Sequence, residues 1–253
     1  MKVSIITVCY NSSETIEDTI RSVQSQTYKD IEYIIIDGGS TDSTNQIISN
    51  YSELVDIHIS ERDEGLYDAM NKGISMATGD VIGILNSDDF FCNHNSVADL
   101  LSGFVSDDID GVYSDLVYVQ ENDTSKVTRL YSSKVYKQSL IKFGLMLPHP
   151  TFYVRKSVYE KCGLYKTNYR VAADFELIAR CVSKGTKLNR VPKITVKMRE
   201  GGISSSGLMW RVHQNVEIVR ACRENGIYTN LVMVALKLPY KLLTLLTRKF
   251  VSV

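Results

Sequence analysis

The chain has 253 residues, of which 44% are hydrophobic and 23% charged, which is enough apolar material for one large α/β domain. Its 29 basic residues equal its 29 acidic residues, which argues against a nucleic-acid partner. The five cysteines form no CxxC pair, as is usual for reduced thiols in the cytoplasm. The chain has no apolar run of about 18 residues and no signal-peptide pattern, so we expect a cytoplasmic protein.

Strands and helices alternate through the first 90 residues. Apolar, β-branched runs predict buried strands at 3–8, 31–36, 55–59 and 81–85. Between the strands, helical periodicity is carried by Ile16, Ile20 and Val23 in the first helix and by the stripe Leu66, Ala69, Met70, Gly73 and Ile74 in the third. A second helix is predicted after Ser40, which is its candidate N-cap. This alternation predicts a doubly wound, mostly parallel sheet with right-handed crossovers.

The second half has a mixed pattern that includes a small antiparallel part. Helices are predicted at 95–105, 174–184 and 209–223, the last with Val212, Val216 and Val219 on one side. A hairpin is predicted from 112–119 and 126–131, with further extended segments at 151–154 and at 187–198, broken at Pro192. We divide the chain into a first half at 1–90, a second half at 91–205 and C-terminal helices at 206–253.

Two adjacent carboxylates, Asp88 and Asp89, follow the apolar strand at 81–85. In open α/β sheets the ligand crevice lies beyond the carboxyl ends of the strands. Adjacent carboxylates repel each other unless a cation offsets the repulsion, and Mg²⁺ commonly takes one or two carboxylates plus phosphate oxygens. A divalent metal, Mn²⁺ or Mg²⁺, is one interpretation; a solvated turn or helix cap is the other.

The C-terminal segment, 231–253, is apolar and purely cationic. It carries Lys237, Lys241, Arg248 and Lys249, and no acidic residue follows Glu224. This composition favours adsorption of the tail to the anionic inner face of a membrane, and a helix packed on the body is the alternative.

Five motifs in order make the chain resemble the family 2 glycosyltransferases of the GT-A fold. They cover about the first 180 residues, and the closest similarity is to bacterial enzymes of capsule, exopolysaccharide or O-antigen assembly. The motifs lie at 3–11, 34–42, 63–72, 86–89 and 172–176. Neither a dinucleotide fingerprint nor a P-loop is present.

This resemblance implies a role for each matching residue. Asp174 matches the general base, and Asp88 and Asp89 match the metal motif, with Asp89 the firmer ligand. Because Asn86 replaces the usual first acid of that motif, Asp88 either binds the metal or holds the ribose. The residues implied to bind the nucleotide are Thr7, Cys9, Tyr10, Asn11, Asp37, Asp63, Lys72 and Asp88.

The expected reaction is an inverting transfer of one sugar from a nucleotide-diphosphate sugar to a glycan or lipid-linked acceptor. One carboxylate takes the proton of the acceptor hydroxyl, and a metal stabilises the leaving diphosphate. His149 and Arg199 are candidate contacts of the acceptor or diphosphate, and His213 is expected to be a surface residue. The alternative is a non-catalytic sugar-nucleotide-binding or scaffold protein. The sequence leaves the donor base, the sugar and the acceptor open.

Overall fold

The computed structural model describes residues 1–201 and 207–237. The strands are β1 (Val3–Cys9), β2 (Ile31–Asp37), β3 (Ile57–Ser60), β4 (Val81–Ile84), β5 (Asp89–Phe91), β6 (Gly111–Gln120), β7 (Asp123–Tyr131), β8 (Tyr153–Arg155) and β9 (Leu188–Arg199). The helices are α1 (Ile16–Gln24), α2 (Thr44–Ser49), α3 (Leu66–Met76), α4 (Ser96–Leu101), α5 (Lys156–Cys162), α6 (Ala173–Ser183), α7 (Gly207–Glu224) and α8 (Leu231–Ala235). Short 3₁₀ turns lie at Ser133–Val135, Gln138–Phe143 and His149–Thr151.

The strands form one sheet in the order β3-β2-β1-β4-β8-β6-β9-β5, with β7 also paired to β6. The pairs among β1 to β4 are all parallel, and β6 is parallel to β9. The remaining pairs, which involve β8, β7 and β5, are antiparallel. The predicted parallel first half and mixed second half are therefore confirmed, and the sheet is continuous across both.

Both faces of the parallel part are covered. Ile34 and Ile36 of β2 belong to one buried cluster, whereas Tyr33 and Ile35 belong to the other. Successive side chains of a strand point to opposite faces, so a strand covered on both faces needs an uninterrupted apolar run. This is why the first half is readable from its sequence.

Two local predictions are wrong, and the apolar side predicted for α7 is buried only in part. Helix α2 begins at Thr44 after Ser43, so Ser40 is not its N-cap. Leu66 begins α3 but is exposed, although Ala69, Met70, Gly73 and Ile74 are buried as predicted. Helix α7 buries Ile218, Val219, Ala221 and Cys222, whereas Val212 and Val216 are exposed.

Two strands differ from the prediction for reasons that involve pairing. Strand β9 runs through Pro192 without ending, because its register against β6 shifts there: Tyr113 is paired with Arg190 and Asp115 with Ile194. Proline is tolerated at such irregularities because no ladder hydrogen bond is required of it. Strand β5 has three residues, too few for a periodic signal, and exists through its antiparallel pairing with β9.

Candidate active site

The segments that follow β1, β2 and β4 are joined by hydrogen bonds in which at least one partner is a side chain. Thr41 N donates to Asn11 Oδ1 at 2.9 Å, and Ser12 N donates to Thr44 Oγ1 at 2.8 Å. The hydroxyl groups of Ser12 and Ser87 are 2.9 Å apart. The ends of three parallel strands therefore meet at one edge of the sheet, where the sequence placed its polar motifs.

Two of the predicted nucleotide-binding residues at this edge are open to solvent and two have buried side chains. Tyr10 and Asn11 are exposed, and Asn11 has a positive φ of 48°, which turns the chain sharply after β1. Thr7 is fully buried and its hydroxyl lies 3.1 Å from that of Tyr33. Cys9 is also buried, and burial raises the pKa of its thiol. Only backbone groups of Thr7 and Cys9 are suited to ligand contact.

Asp37 is fully buried and its carboxylate is occupied by the protein itself. Its oxygens accept hydrogen bonds from Ser60 Oγ at 2.6 Å, from Asn45 Nδ2 at 2.8 Å, and from both the amide and the hydroxyl of Ser40. Burial acts to raise the pKa of Asp37, but these donors outweigh it and hold the pKa below its usual value. As placed, Asp37 fixes the turn after β2 and offers no exposed oxygen to a base.

Asp63 and Lys72 lie beside this turn. Asp63 is half-buried, accepts from Gly65 N at 2.8 Å, and lies so close to Gly38 that a Cβ at Gly38 would overlap its carboxylate. Lys72 of α3 pairs with Glu61 at 2.8 Å and with Asp68 at 3.5 Å. Its ammonium group is thus held over the loop that carries Asp63.

The carboxylate pair lies where β5 begins. Asp89 is fully buried, and its pKa is raised well above the usual value by burial and by the charge of Asp88. Burial also raises the pKa of Asp88. Arg199, at the end of β9, opposes both shifts, is itself buried, and pairs with Asp18 of α1. Arg199 therefore lies beside the carboxylates, held by Asp18.

These residues suit a hard divalent cation. Asp89 Oδ1 and Asn86 Oδ1 are buried oxygens without a hydrogen-bond partner. Within residues 1–201 and 207–237 no three His, Cys, Asp or Glu side chains cluster as a metal site. Two carboxylates and an amide oxygen nevertheless fit Mg²⁺ or Mn²⁺, which complete their coordination with water and substrate phosphate oxygens.

Asp174 lies in the first turn of α6, in a pocket of aromatic residues. Its Oδ1 accepts from Phe175 N at 2.7 Å. Burial raises the pKa of Asp174, and the charge that His149 would carry acts in the opposite direction. His149 is buried, which lowers its pKa, and its Nε2 lies 2.7 Å from the Tyr165 hydroxyl. A carboxylate with a raised pKa beside a neutral imidazole is suited to accept a proton.

Sequence reasoning missed several residues around Asp174. Tyr67 stacks on Tyr165, with ring centroids 5.8 Å apart, and donates to Val171 O at 2.9 Å. Glu217 of α7 accepts hydrogen bonds from the backbone just before α6. A cavity of about 300 Å³ separates the start of α3 (Glu64 to Asp68) from the loop at Thr167 to Arg170. These contacts join residues about 50 to 100 positions apart, which no pattern of neighbouring residues predicts.

The C-terminal predictions are tested only in part. His213 is exposed and its Nδ1 lies 3.0 Å from Met209 O within α7, as expected of a surface residue. Helix α8 buries Val234 and exposes Leu231 and Val232. The cationic residues at 241, 248 and 249 lie outside the described residues. None of the described helices is long and apolar enough to cross a bilayer.

Comparisons with known proteins identify the family of this chain. The model of glycosyl transferase family 2 matches residues 4–163, so the chain belongs to that family. It is 28% identical over 211 residues to a PGL/p-HBAD biosynthesis glycosyltransferase of Mycobacterium tuberculosis, covering 80% of this chain and 79% of the relative. It is 33% identical to an uncharacterized glycosyltransferase of the same species, over 70% of this chain and 68% of the relative.

Solved structures share the fold. S. aureus TarS 1–349 in complex with UDP-GlcNAc superposes with a TM-score of 0.70 at 16% identity, over 87% of this chain and 66% of that one. The mannosyltransferase PcManGT from Pyrobaculum calidifontis, in complex with GDP-Man and Mn²⁺, gives 0.69 at 17% identity, over 96% and 72%. The chain is thus a family 2 glycosyltransferase with the GT-A fold, as its motifs predicted.

Proposed function

We propose that this protein is an inverting, metal-dependent glycosyltransferase that moves one sugar from a nucleotide-diphosphate sugar to a glycan or lipid-linked acceptor. The observation that carries the proposal is the presence of two carboxylate sites in which burial raises the pKa. Asp88 and Asp89 are poised for a cation where β5 begins, and Asp174 is poised as a base in the first turn of α6. Residues 1–90 would bind the donor and residues 91–205 the acceptor.

Two partly buried tyrosines of the β6–β7 hairpin, Tyr118 and Tyr131, respond to the charges of these carboxylates. Burial raises the pKa of Tyr118, and the charge of Asp89 adds to that shift. Burial likewise raises the pKa of Tyr131, to which Tyr118 and the charge of Asp174 also contribute.

Asp174 performs the proton transfer in this proposal. It removes the proton of an acceptor hydroxyl while that oxygen attacks the anomeric carbon from the face opposite the leaving diphosphate, so an α-linked donor gives a β linkage. Neutral His149, fixed by Tyr165, lines the pocket of this carboxylate without neutralising it.

Asp88 and Asp89 would hold the divalent ion, with Asn86 Oδ1 available to the same ion. When bound, the ion supplies charge stabilisation of the departing diphosphate. Arg199 holds cationic charge beside these carboxylates, and Lys72 holds its ammonium group near Asp63. On the nucleotide side, the exposed Tyr10 and Asn11 and the half-buried Asp63 are suited to the base and ribose.

The names of the relatives and the composition of the tail support the proposed substrates and site of action. TarS and PcManGT were solved with UDP-GlcNAc and GDP-Man, and the mycobacterial relative is named for PGL/p-HBAD biosynthesis. These names support a nucleotide sugar as donor and a bacterial surface glycan or glycolipid as product. The cationic composition of 231–253 supports peripheral contact with the cytoplasmic membrane face, where a lipid-linked acceptor would lie.

The experiment that tests the proposal is calorimetric binding of UDP, GDP and dTDP, each with and without Mn²⁺. It compares the wild type with Asp89→Ala and with the matched control Asp80→Ala, whose carboxylate is exposed and accepts from Lys2 N. We expect the wild type to bind one of the three diphosphates, and to do so only with Mn²⁺. Asp80→Ala should bind it with the same affinity, whereas Asp89→Ala should bind it at least about tenfold more weakly.

The other outcomes are equally informative. Metal-independent binding of a diphosphate to all three proteins would contradict metal dependence. A diphosphate can bind without any cleavage of the matching nucleotide sugar into sugar and diphosphate. That result would favour the scaffold alternative. If no diphosphate binds under any condition, the transferase proposal is overturned.

A further inference from the structure

Glu217, in the middle of α7, directs its carboxylate at the backbone just before α6. Its Oε1 accepts from Arg170 N at 2.7 Å, and its Oε2 accepts from Val171 N and Ala172 N, both at 2.9 Å. Hydrogen bonds to an ionised acceptor are roughly twice as strong as neutral ones, and three converge here on one side chain. Glu217 thus fixes three consecutive residues of an otherwise irregular segment, Arg170–Ala172.

The segment Arg170–Ala172 leads directly into the base. Ala172 is the N-cap of α6, and Asp174 is two residues further on. From the opposite side, the Tyr67 hydroxyl of α3 donates to Val171 O at 2.9 Å. The segment is therefore clamped between α7, which accepts from its N–H groups, and α3, which donates to a carbonyl. Its position fixes the first turn of α6 and the carboxylate of Asp174.

The neighbouring contacts place the same segment at the wall of the cavity. The Arg170 guanidinium lies over the Trp210 ring at 5.8 Å, and that of Arg220 lies over the Tyr169 ring at 4.4 Å. Arg170 and Tyr169 also line the 300 Å³ cavity opposite α3. Helix α7 therefore supports both the base and one wall of the space beside it.

We propose that Glu217 is a positioning residue for sugar transfer: by holding Arg170–Ala172 it keeps Asp174 where it takes the proton of the acceptor hydroxyl. The proposal rests on the proposed function, since it assigns Asp174 as the base. Precise placement matters because a misplacement of about 1 Å in an active site can cost about 100-fold in rate.

The charge of Glu217 has a second, separable effect. Burial is the main cause of the raised pKa of Asp174, and the negative charge of Glu217 raises it further. The other titratable groups that face Asp174 are His149, which acts in the opposite direction, and the phenols of Tyr67, Tyr131 and Tyr165. Removing the charge at 217 should therefore lower the pKa of the base.

Three variants separate these effects. Glu217→Gln removes the charge and places an amide NH₂ against a backbone donor. Glu217→Asp keeps the charge but withdraws it by one methylene, so that the three hydrogen bonds are lost. Glu224→Gln is the matched control. Glu224 lies on the same helix, pairs with Lys166 and Arg220 and accepts from the Tyr169 hydroxyl, but it accepts no hydrogen bond from the backbone of Arg170–Ala172. Folding is checked by thermal unfolding and by UDP or GDP binding.

The readouts are amide exchange at residues 170–172, and steady-state turnover of UDP-GlcNAc or GDP-mannose, whichever matches the diphosphate that binds. We expect faster exchange at these amides in both Glu217 variants and a kcat about 10- to 100-fold lower, with the donor KM within about twofold of wild type. The acidic limb of the kcat profile should move to lower pH in Glu217→Gln but stay in place in Glu217→Asp.

Two results would overturn the proposal. One is unchanged amide exchange at 170–172 in a folded Glu217 variant. The other is a kcat within about twofold of wild type, or a loss no larger than that of Glu224→Gln. If Glu217→Gln does not fold, Glu217→Asp decides alone. Should Asp174→Asn remain active, the assignment of the base fails, whereas the exchange measurement still reports whether Glu217 holds the segment.

Discussion

The side of the sheet proposed to bind the nucleotide and the side proposed to bind the acceptor build their functional groups in different ways. On the nucleotide side, β1, β2 and β4 are parallel neighbours, and the polar residues follow each strand directly in the chain. On the acceptor side, β8, β6, β9 and β5 lie next to one another in an order unlike that of the chain. There the pocket of Asp174 is assembled from α3, α7 and the loops near His149 and Tyr165. Local sequence specifies the first side, whereas long-range contacts specify the second.

The largest expected effect is on the acceptor side, at Asp174. Asp174→Asn should lower kcat by about 1,000-fold, because loss of a general base typically costs 10²- to 10⁴-fold. Diphosphate binding should be unchanged, since it belongs to the other side. Because burial raises the pKa of Asp174, its ionised form is disfavoured in the folded state, and the neutral Asn should leave the melting temperature equal or higher.

Initial rates, calorimetry and thermal unfolding check this prediction. A variant that retains wild-type kcat would remove Asp174 from the mechanism. In the wild type, activity requires the ionised base and so should be lost as the pH falls through a pKa above the ordinary Asp value near 3.9.

The next effect is on the nucleotide side, at Asp88 and Asp89. Both pKa values are raised in the metal-free protein, so protons compete with a cation for these oxygens. We expect Mn²⁺ to raise the melting temperature at pH 7.5, and the rise to shrink as the pH falls toward 5. Asp89→Asn should abolish the rise at every pH.

A metal-dependent shift that is the same in Asp89→Asn and in wild type would place the ion elsewhere. Thermal unfolding across pH, with Ca²⁺ as a comparison ion, is sufficient to decide. Substitutions on the proposed acceptor side should leave the Mn²⁺-dependent rise in melting temperature unchanged.

A third prediction concerns the seam where the two sides join, β4 against β8. Gly83 faces Tyr153 there, and a Cβ at Gly83 would overlap the fully buried Tyr153 ring. Gly83→Ala should therefore lower the free energy of unfolding by about 1 to 3 kcal/mol, the usual cost of overpacking a core. Urea unfolding checks it: one transition that moves as a whole indicates that both sides unfold together, whereas two transitions would show that they are independent.

The smallest effect is expected at His213. Because this side chain is exposed and bonded within α7, His213→Ala should leave the Mn²⁺-dependent melting shift and the diphosphate affinity unchanged. A reduced metal response in this variant would mean that His213 reaches the ion in the bound state.

The sequence by itself determined the class of this protein, its parallel half and the strand ends that carry Asp37, Asp88 and Asp89. A buried parallel strand needs a continuous apolar run, and the chain direction then fixes which edge receives the residue after it. Those features are local, so periodicity and motifs suffice. The same holds for Asp174, which a short motif marks at the start of a helix.

Only the tertiary structure decided which of these side chains are open to a ligand and what surrounds them. It enclosed Asp37 among Ser40, Asn45 and Ser60, placed Arg199 beside the carboxylate pair, and turned Val212 and Val216 outward. It also brought Glu217 to the backbone before Asp174. Burial and pairing depend on residues distant in the chain, and a window of neighbouring residues does not contain that information.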